Sequence, residues 1–160
     1  MNREGLIWGM ASTVRFVHMG VADLSRCFPV MVQLRSDLTA EQFEQQVARQ
    51  FEQGYKLLAA EEEGKIVGLA GYRIGENLAW GRFLYVDDIV TDEAARSTGV
   101  GTRLISWLKR EALKNGCSQL HLDSGVHRFG AHRFYLRQGL DITSHHFGIK
   151  LDRKERGGRR

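Results

Sequence analysis

Along TVRFVHM, Thr13 to Met19, apolar and polar residues alternate as in a half-buried strand. The stretch LSRCFPVMVQLR that follows Asp23 changes to helical spacing. Asp23 is placed as its N-cap, and Pro29 is expected to kink or split the helix. Thr39 followed by Gln42 has the spacing of a capping box, so a second helix opens there and runs to about Gln53, where Gly54 ends it. YKLLAAEEEGKIVGLAGYRI then reads as two strands joined by a turn at Glu63-Gly64. After a loop from Gly75 to Gly81, RFLYVDDIVT forms a further strand. From Val100 to Asn115 the helical period returns, with Leu104, Ile105, Leu108 and Ala112 as the buried stripe and Trp107 beside it; Gly116 stops the helix. SQLHLDS is the next strand, GAHRFYLRQ a short helix closed by Gly139, and DITSH and HFGIKL are strand-like.

The pattern is α/β, a strand-rich first part followed by a strand, helix, strand, helix unit. With 160 residues, 42% of them apolar and 26% charged, the chain is expected to form one domain over residues 1–152. The net charge is +4, and LDRKERGGRR, Leu151 to Arg160, supplies +3 of it. Residues 153–160 are expected to be a disordered basic tail, and without aromatic or motif context nucleic acid is not an expected partner. No apolar run is long enough for a bilayer, and MNREGLIWGMAST lacks the positive start and sustained apolar run of a signal peptide. The expected compartment is the cytoplasm. Cys27 and Cys117 have no metal-type spacing and are expected as buried reduced thiols; no metal is expected.

The stretch DEAARSTGVGTRL, Asp92 to Leu104, joins a strand to a helix and carries the chemistry. A helix N-terminus leaves backbone N–H groups without intrahelical partners and adds partial positive charge, which makes it an anion site. Gly99 and Gly101 have no Cβ to keep a phosphate away, Ser97 and Thr102 add hydroxyls, and Arg96 adds a charge. A pyrophosphate fits this set, and an ordinary glycine-bearing loop fits it as well. The P-loop pattern G-x-x-x-x-G-K-[ST] is absent, and so is G-x-G-x-x-G at a first strand.

Arg96-Ser97-Thr98-Gly99-Val100-Gly101 resembles the [RQ]-x-x-G-x-[GA] signature of the GNAT superfamily of acyl-CoA-dependent N-acetyltransferases. AHRFYLRQGL, Ala131 to Leu140, resembles that family's later A-x-x-F-Y-x-x-x-G-[FL] segment. Both occur in order, and the resemblance is strongest from Leu84 to Leu151. It implies a GNAT fold, a mixed and mostly antiparallel sheet of about six or seven strands flanked by about four helices, splayed where the cofactor enters. It also implies acetyl-CoA as co-substrate, with Arg96, Ser97, Thr98, Gly99, Val100, Gly101 and Thr102 on the pyrophosphate. Ile89, Val90 and Thr91 then pair with the pantetheine arm as with an extra strand. The family's frequent asparagine, three residues before Ala131, is replaced by Arg128, which can meet a phosphate or a pantetheine carbonyl instead. Glu93 stands where a proline is frequent.

Acetyl transfer to an amine requires the ammonium to lose a proton and the departing thiolate to gain one. The resemblance puts Tyr135 in the general-acid position. Asp88, eight residues before Arg96, is the candidate base acting through a water, or else it binds the substrate cation or caps a turn. Asp87 should point to the opposite sheet face unless a bulge intervenes. The acceptor is expected to be a primary amine on a small molecule. The acidic Asp87 and Asp88 suit a cation, whereas Arg35, Arg73 or Arg128 suits a phosphate or carboxylate. The closing segments are similar to those of aminoalkylphosphonate N-acetyltransferases. A protein N-acetyltransferase and a non-catalytic module binding acyl-CoA or nucleic acid are the alternatives, and a homodimer is expected from the family. His121, His145 and His146 show no metal pattern. Trp80, Phe83 and Tyr85 read as core or pocket aromatics, and Glu61-Glu62-Glu63 as a solvated turn.

Overall fold

The computed structural model describes residues 13–151. The N-terminal apolar patch through Ala11 and the basic tail from Asp152 lie outside them. Two compact units make up the chain, residues 1–122 and residues 123–160.

The first unit contains a five-stranded sheet in the order β1 (Arg15–His18), β2 (Lys56–Glu62), β3 (Lys65–Asn77), β4 (Gly81–Thr91) and β5 (Gln119–Leu122). Its first four strands are antiparallel and β5 is parallel to β4, so the sheet is mixed and mostly antiparallel. The β2–β3 turn is as expected: Glu63 and Gly64 both take positive φ, at 50° and 77°, which matches the twist of a tight hairpin. The long loop expected from Gly75 shrinks to Leu78–Trp80, because β3 continues to Asn77 and its side chain accepts from the Trp80 N–H at 2.7 Å.

Helices cover both faces of the sheet. α1 (Leu24–Met31) and α2 (Ala40–Glu52) bury Leu24, Cys27, Val30, Phe43 and Val47 against Leu57, Ala59 and Leu69. α3 (Val100–Lys114) lies on the other face, where Trp107 meets Tyr72 and Gly68 admits Val100 and Leu104. A Cβ at Gly68 would come within 2.9 Å of Val100 Cγ1. Thr39 caps α2 as its spacing requires, accepting from the Gln42 N–H while Gln42 returns a bond to the Thr39 N–H. Asp23 stands at the N-cap of α1 but makes no capping bond there; its carboxylate accepts from Gly20 N–H and closes the preceding short 3-10 turn. Pro29 does not split α1. The helix ends at Met31, two residues beyond it, which turns residues 32–38 into the connection that carries Arg35.

Two expectations fail for physical reasons. Glu61 is not a solvated turn residue: it is 5% exposed and holds Arg15 and Arg26, each at 2.8 Å, leaving Glu63 alone at the turn tip. The strand count is five because residues 140–151 enter no ladder among the described residues, although their sequence alternates. Ile142, Phe147 and Ile149 are all exposed, so that alternation buries nothing. The second unit contributes α4 (Phe129–Arg137), followed by Gly139 at φ 81°.

Candidate active site

The loop from Asp92 to Gly99 is tied both to itself and to distant residues. Asp92 N–H donates to the Val67 carbonyl, Gln33 bridges the Asp92 carboxylate and the Glu93 N–H at 2.9 Å each, and the Thr98 hydroxyl donates to the Ala95 carbonyl. Ser97 and Gly99 both take left-handed backbone, at φ 64° and 89°. Gly99 is the N-cap residue of α3, and the Arg103 N–H bonds to the Gly99 carbonyl. Among the described residues, the amides of Gly99, Val100 and Gly101 take no hydrogen bond. These are the donors an anion at a helix N-terminus uses. The turn itself explains Gly99 through its positive φ, whereas Gly101 lies within helix, where glycine is a disadvantage of about 1 kcal/mol against alanine. The exposed Arg96, Ser97 and Thr102 flank these amides, and the Thr98 hydroxyl is turned inward, leaving its amide as its only donor to a ligand.

Immediately before the loop, Thr91, Val90 and Ile89 pair with Gly68, Leu69 and Ala70 of β3. On the opposite edge, β5 pairs with Phe83–Val86 and no further. Ile89, Val90 and Thr91 therefore have one backbone edge in the sheet and one without a strand partner among the described residues.

Between these two regions β4 carries a bulge. Tyr72 pairs with Val86, but Gly71 pairs with Asp88, so Asp87 is the extra residue. In a regular strand Asp88 would share the face of Leu84 and Val86, beneath α3. The bulge reverses the parity and turns Asp88 toward α1 and α2, together with Val90. Asp87 reaches the same side, where Arg73 Nε donates to its Oδ2 at 3.0 Å. The two carboxylates thus share a face rather than opposing each other across the sheet. Burial pushes the Asp87 carboxyl up from its ordinary range, and Arg73 pulls against this.

Asp88 is held at both oxygens. Arg35 Nε donates to Oδ1 at 2.7 Å, and the Tyr55 hydroxyl donates to Oδ2 at 2.8 Å. Arg35 Nη2 also donates to the Asp87 carbonyl at 2.9 Å, across the bulge. Tyr55 reaches Asp88 by lying over Gly71; a Cβ there would fall on the phenol. The Arg73 guanidinium lies over the Tyr55 ring at 5.7 Å and Phe51 stacks on it, fixing the hydroxyl. Burial, with Asp88 next, pushes the Tyr55 hydroxyl up, so it acts as a donor. The cluster forms one wall of a cavity of about 440 Å³, within the size range of small-molecule sites, whose apolar side is formed by Met31, Leu38, Phe43 and Val47.

In the second unit, Tyr135 on α4 is 9% exposed, and burial pushes its phenol up from the ordinary value, with Arg128 opposing. It is therefore protonated at neutral pH. Arg128 is exposed at the N-cap of α4. His146 pairs with Asp123 at 3.2 Å, while in the first unit His121 stacks on Trp80 at 3.7 Å. Among the described residues no group of three or more His, Cys, Asp or Glu is placed to hold a metal, and no helix is long and apolar enough to cross a membrane.

Sequence reasoning singled out Asp88, Arg35 and Arg73 separately but not the cluster they form, and it missed Tyr55. The available signal was Gly71, a glycine inside a strand, which marks a close approach or a bulge.

The sequence pattern of the acetyltransferase (GNAT) family matches residues 19–140. An uncharacterized N-acetyltransferase of Bacillus subtilis, YhdJ, is 34% identical over 122 residues, which cover 75% of this chain and 86% of that protein. The aminoalkylphosphonate N-acetyltransferase of Salmonella typhimurium is 28% identical over 85 residues, 52% of this chain and 55% of that protein. Aminoglycoside N-acetyltransferase AAC(6')-Iy, solved in complex with CoA, superposes with a TM-score of 0.78 over 91% of this chain and 99% of its own, at 15% identity. The chain belongs to the acetyltransferase (GNAT) family and is an acetyl-CoA-dependent N-acetyltransferase.

Proposed function

We propose that this enzyme moves the acetyl group of acetyl-CoA to the primary amine of a small molecule by direct attack in a ternary complex. The observation that carries the reading is Asp88, turned by the β4 bulge into a concave site formed with α2 and the α1–α2 connection and lined by apolar and polar side chains together. A protein terminus or lysine can enter a groove, but a cavity of this size suits a small acceptor. The name of the Salmonella relative, an aminoalkylphosphonate N-acetyltransferase, points the same way.

In the proposed reaction the amides from Arg96 to Thr102 hold the pyrophosphate, and the edge of Ile89, Val90 and Thr91 pairs with pantetheine. Arg128 supplies a further charge to a phosphate or a pantetheine carbonyl. The acceptor ammonium loses a proton to Asp88 through a water. The free amine attacks the thioester carbonyl carbon, the new C–N bond forms, the C–S bond breaks, Tyr135 gives its proton to the departing thiolate, and the second proton shed by the acylated nitrogen restores the phenol. A backbone N–H of β4 stabilises the developing oxyanion. The buried free cysteines Cys27 and Cys117, the first with its thiol pushed up to about 12 by burial, take no part; they support a reducing compartment, the cytoplasm. We also take the enzyme to be a homodimer, for which light scattering is the check.

The test is calorimetric titration with acetyl-CoA, followed by thiol release on adding amines. Saturable binding that is lost when Gly99 and Gly101 both become valine, with amine-dependent release of CoA, is expected. A folded protein that binds acetyl-CoA but acetylates only peptide amines would overturn the small-molecule reading.

A further inference from the structure

Building on the acetyltransferase reading above, we propose that the acceptor is a zwitterion, a primary amine that carries its own oxyanion, and that Arg35 recognises the oxyanion. Among the described residues lining the cavity Arg35 is the one cation, set against Asp37 and Asp88. Its Nε and Nη2 are engaged with Asp88 and the Asp87 carbonyl, while Nη1 takes no partner among the described residues and the side chain is 48% exposed. A guanidinium held at Nε and Nη2 and open at Nη1 is a pre-positioned, charge-assisted donor for a carboxylate or phosphate-type group.

The Asp88 carboxylate requires such an acceptor. Its side chain is only 14% exposed and already neutralised by Arg35 at 2.7 Å. An amine arriving as an ammonium meets the guanidinium beside the carboxylate proposed to receive its proton. An acceptor with no anion must displace Arg35 and leave it without compensation in a partly buried position. An acceptor with an oxyanion replaces what Asp88 gives up, so the ammonium and guanidinium exchange partners at no net loss of ion pairing. Arg73 cannot serve in this way, because it is committed to Asp87, lies against the Tyr55 ring, and does not line the cavity. The oxyanion sits at the Arg35 end, where the α1–α2 connection begins, and the amine at the Asp88 end.

The experiment measures thiol release by the full chain with saturating acetyl-CoA and ethanolamine, β-alanine, 2-aminoethyl phosphate or 1,3-diaminopropane. At least one of the two anionic amines should exceed both others in kcat/KM by about tenfold or more. In Arg35→Gln that preference should fall roughly tenfold to a hundredfold, carried by KM, the size expected for one charge-assisted hydrogen-bonded contact. Arg35→Lys should retain part of it. An unchanged preference in Arg35→Gln, or a preference for the diamine at Asp37 and Asp88, overturns the proposal. If none of the four is acetylated, titration of the CoA-loaded protein with 2-aminoethyl phosphate decides: no binding that depends on Arg35 overturns the zwitterion. Failure of acetyl-CoA itself to bind sinks the acetyltransferase reading beneath it.

Discussion

Gly71→Ala probes the point on which the site depends. Gly71 does not require glycine for its backbone, since its φ is not among the positive ones, so an alanine there should gain about 0.5–1 kcal/mol from reduced chain entropy. The space forbids it. The added Cβ would fall on the Tyr55 hydroxyl and lie 2.6 Å from Cε2 of the same ring, so the phenol must move. Overpacking of this kind costs about 1–3 kcal/mol. Moving Tyr55 also breaks its bond to the Asp88 carboxylate, about 1.5–3 kcal/mol for a hydrogen bond to a charged group. The net expectation is a loss of about 2–5 kcal/mol, read as a lower urea midpoint with an unchanged slope. The decisive measurement is the same substitution in a Tyr55→Leu background. Leucine has none of the atoms the Cβ would meet, so Gly71→Ala should there be neutral or stabilising by about 0.5–1 kcal/mol. Equal losses in the two backgrounds, or no loss in either, would refute the account of how Tyr55 is placed.

Tyr135→Phe should keep acetyl-CoA binding by calorimetry and lower kcat by about 10²–10⁴-fold, the range for loss of a positioned acid; unchanged turnover would remove Tyr135 from the mechanism. Arg15 and Arg26 hold the Glu61 carboxyl below the usual carboxylate range, so the stability it contributes is present above the unfolded-state value and lost as pH falls through the lower folded-state value. Urea midpoints of the parent and Glu61→Gln should accordingly differ at pH 7 and converge in acid; a gap that persists at low pH would assign the loss to packing. Thr39→Ala removes the bond that the Thr39 hydroxyl accepts from the Gln42 N–H, leaves the one that the residue 39 N–H donates to Gln42, and should cost about 1 kcal/mol by chemical denaturation.

The legibility of this chain divides along a physical line. The helices α2 and α3 and the hairpin at Glu63-Gly64 follow from signals within a few residues: a capping box, a period near 3.6, two positions suited to positive φ. Local signals also produced the main error. Residues 140–151 alternate like strands, but a strand exists only where a ladder accepts it, and the sequence of the segment does not contain its partner. The site shows the same limit in finer form. Asp88 was legible as a residue because the resemblance to the acetyltransferase family implies a carboxylate eight residues before Arg96. Its direction was not, because direction follows from the register between β3 and β4, and a single extra residue reverses it. Read without the bulge, Asp88 faces α3, where Tyr72 and Trp107 fill the space, and a carboxylate there would be buried without a partner. Read with it, Asp88 meets Arg35 and Tyr55, residues 53 and 33 positions away in the chain. Charge pairing on the α1–α2 face therefore supplies a reason for the bulge: the insertion costs part of a ladder and in exchange takes two adjacent carboxylates from opposite faces to one face, where each finds an arginine. An arginine on α1's trailing turn and a glycine opposite the second aspartate are the distant halves of that arrangement. Deleting Asp87 should restore a regular ladder with Asp88 still opposite Gly71 on the α1–α2 face, so the shortened chain should lose the Asp87–Arg73 pair but keep acetyl transfer; loss of acetyl transfer in a folded protein would show that the bulge does more than bring Asp87 to that face.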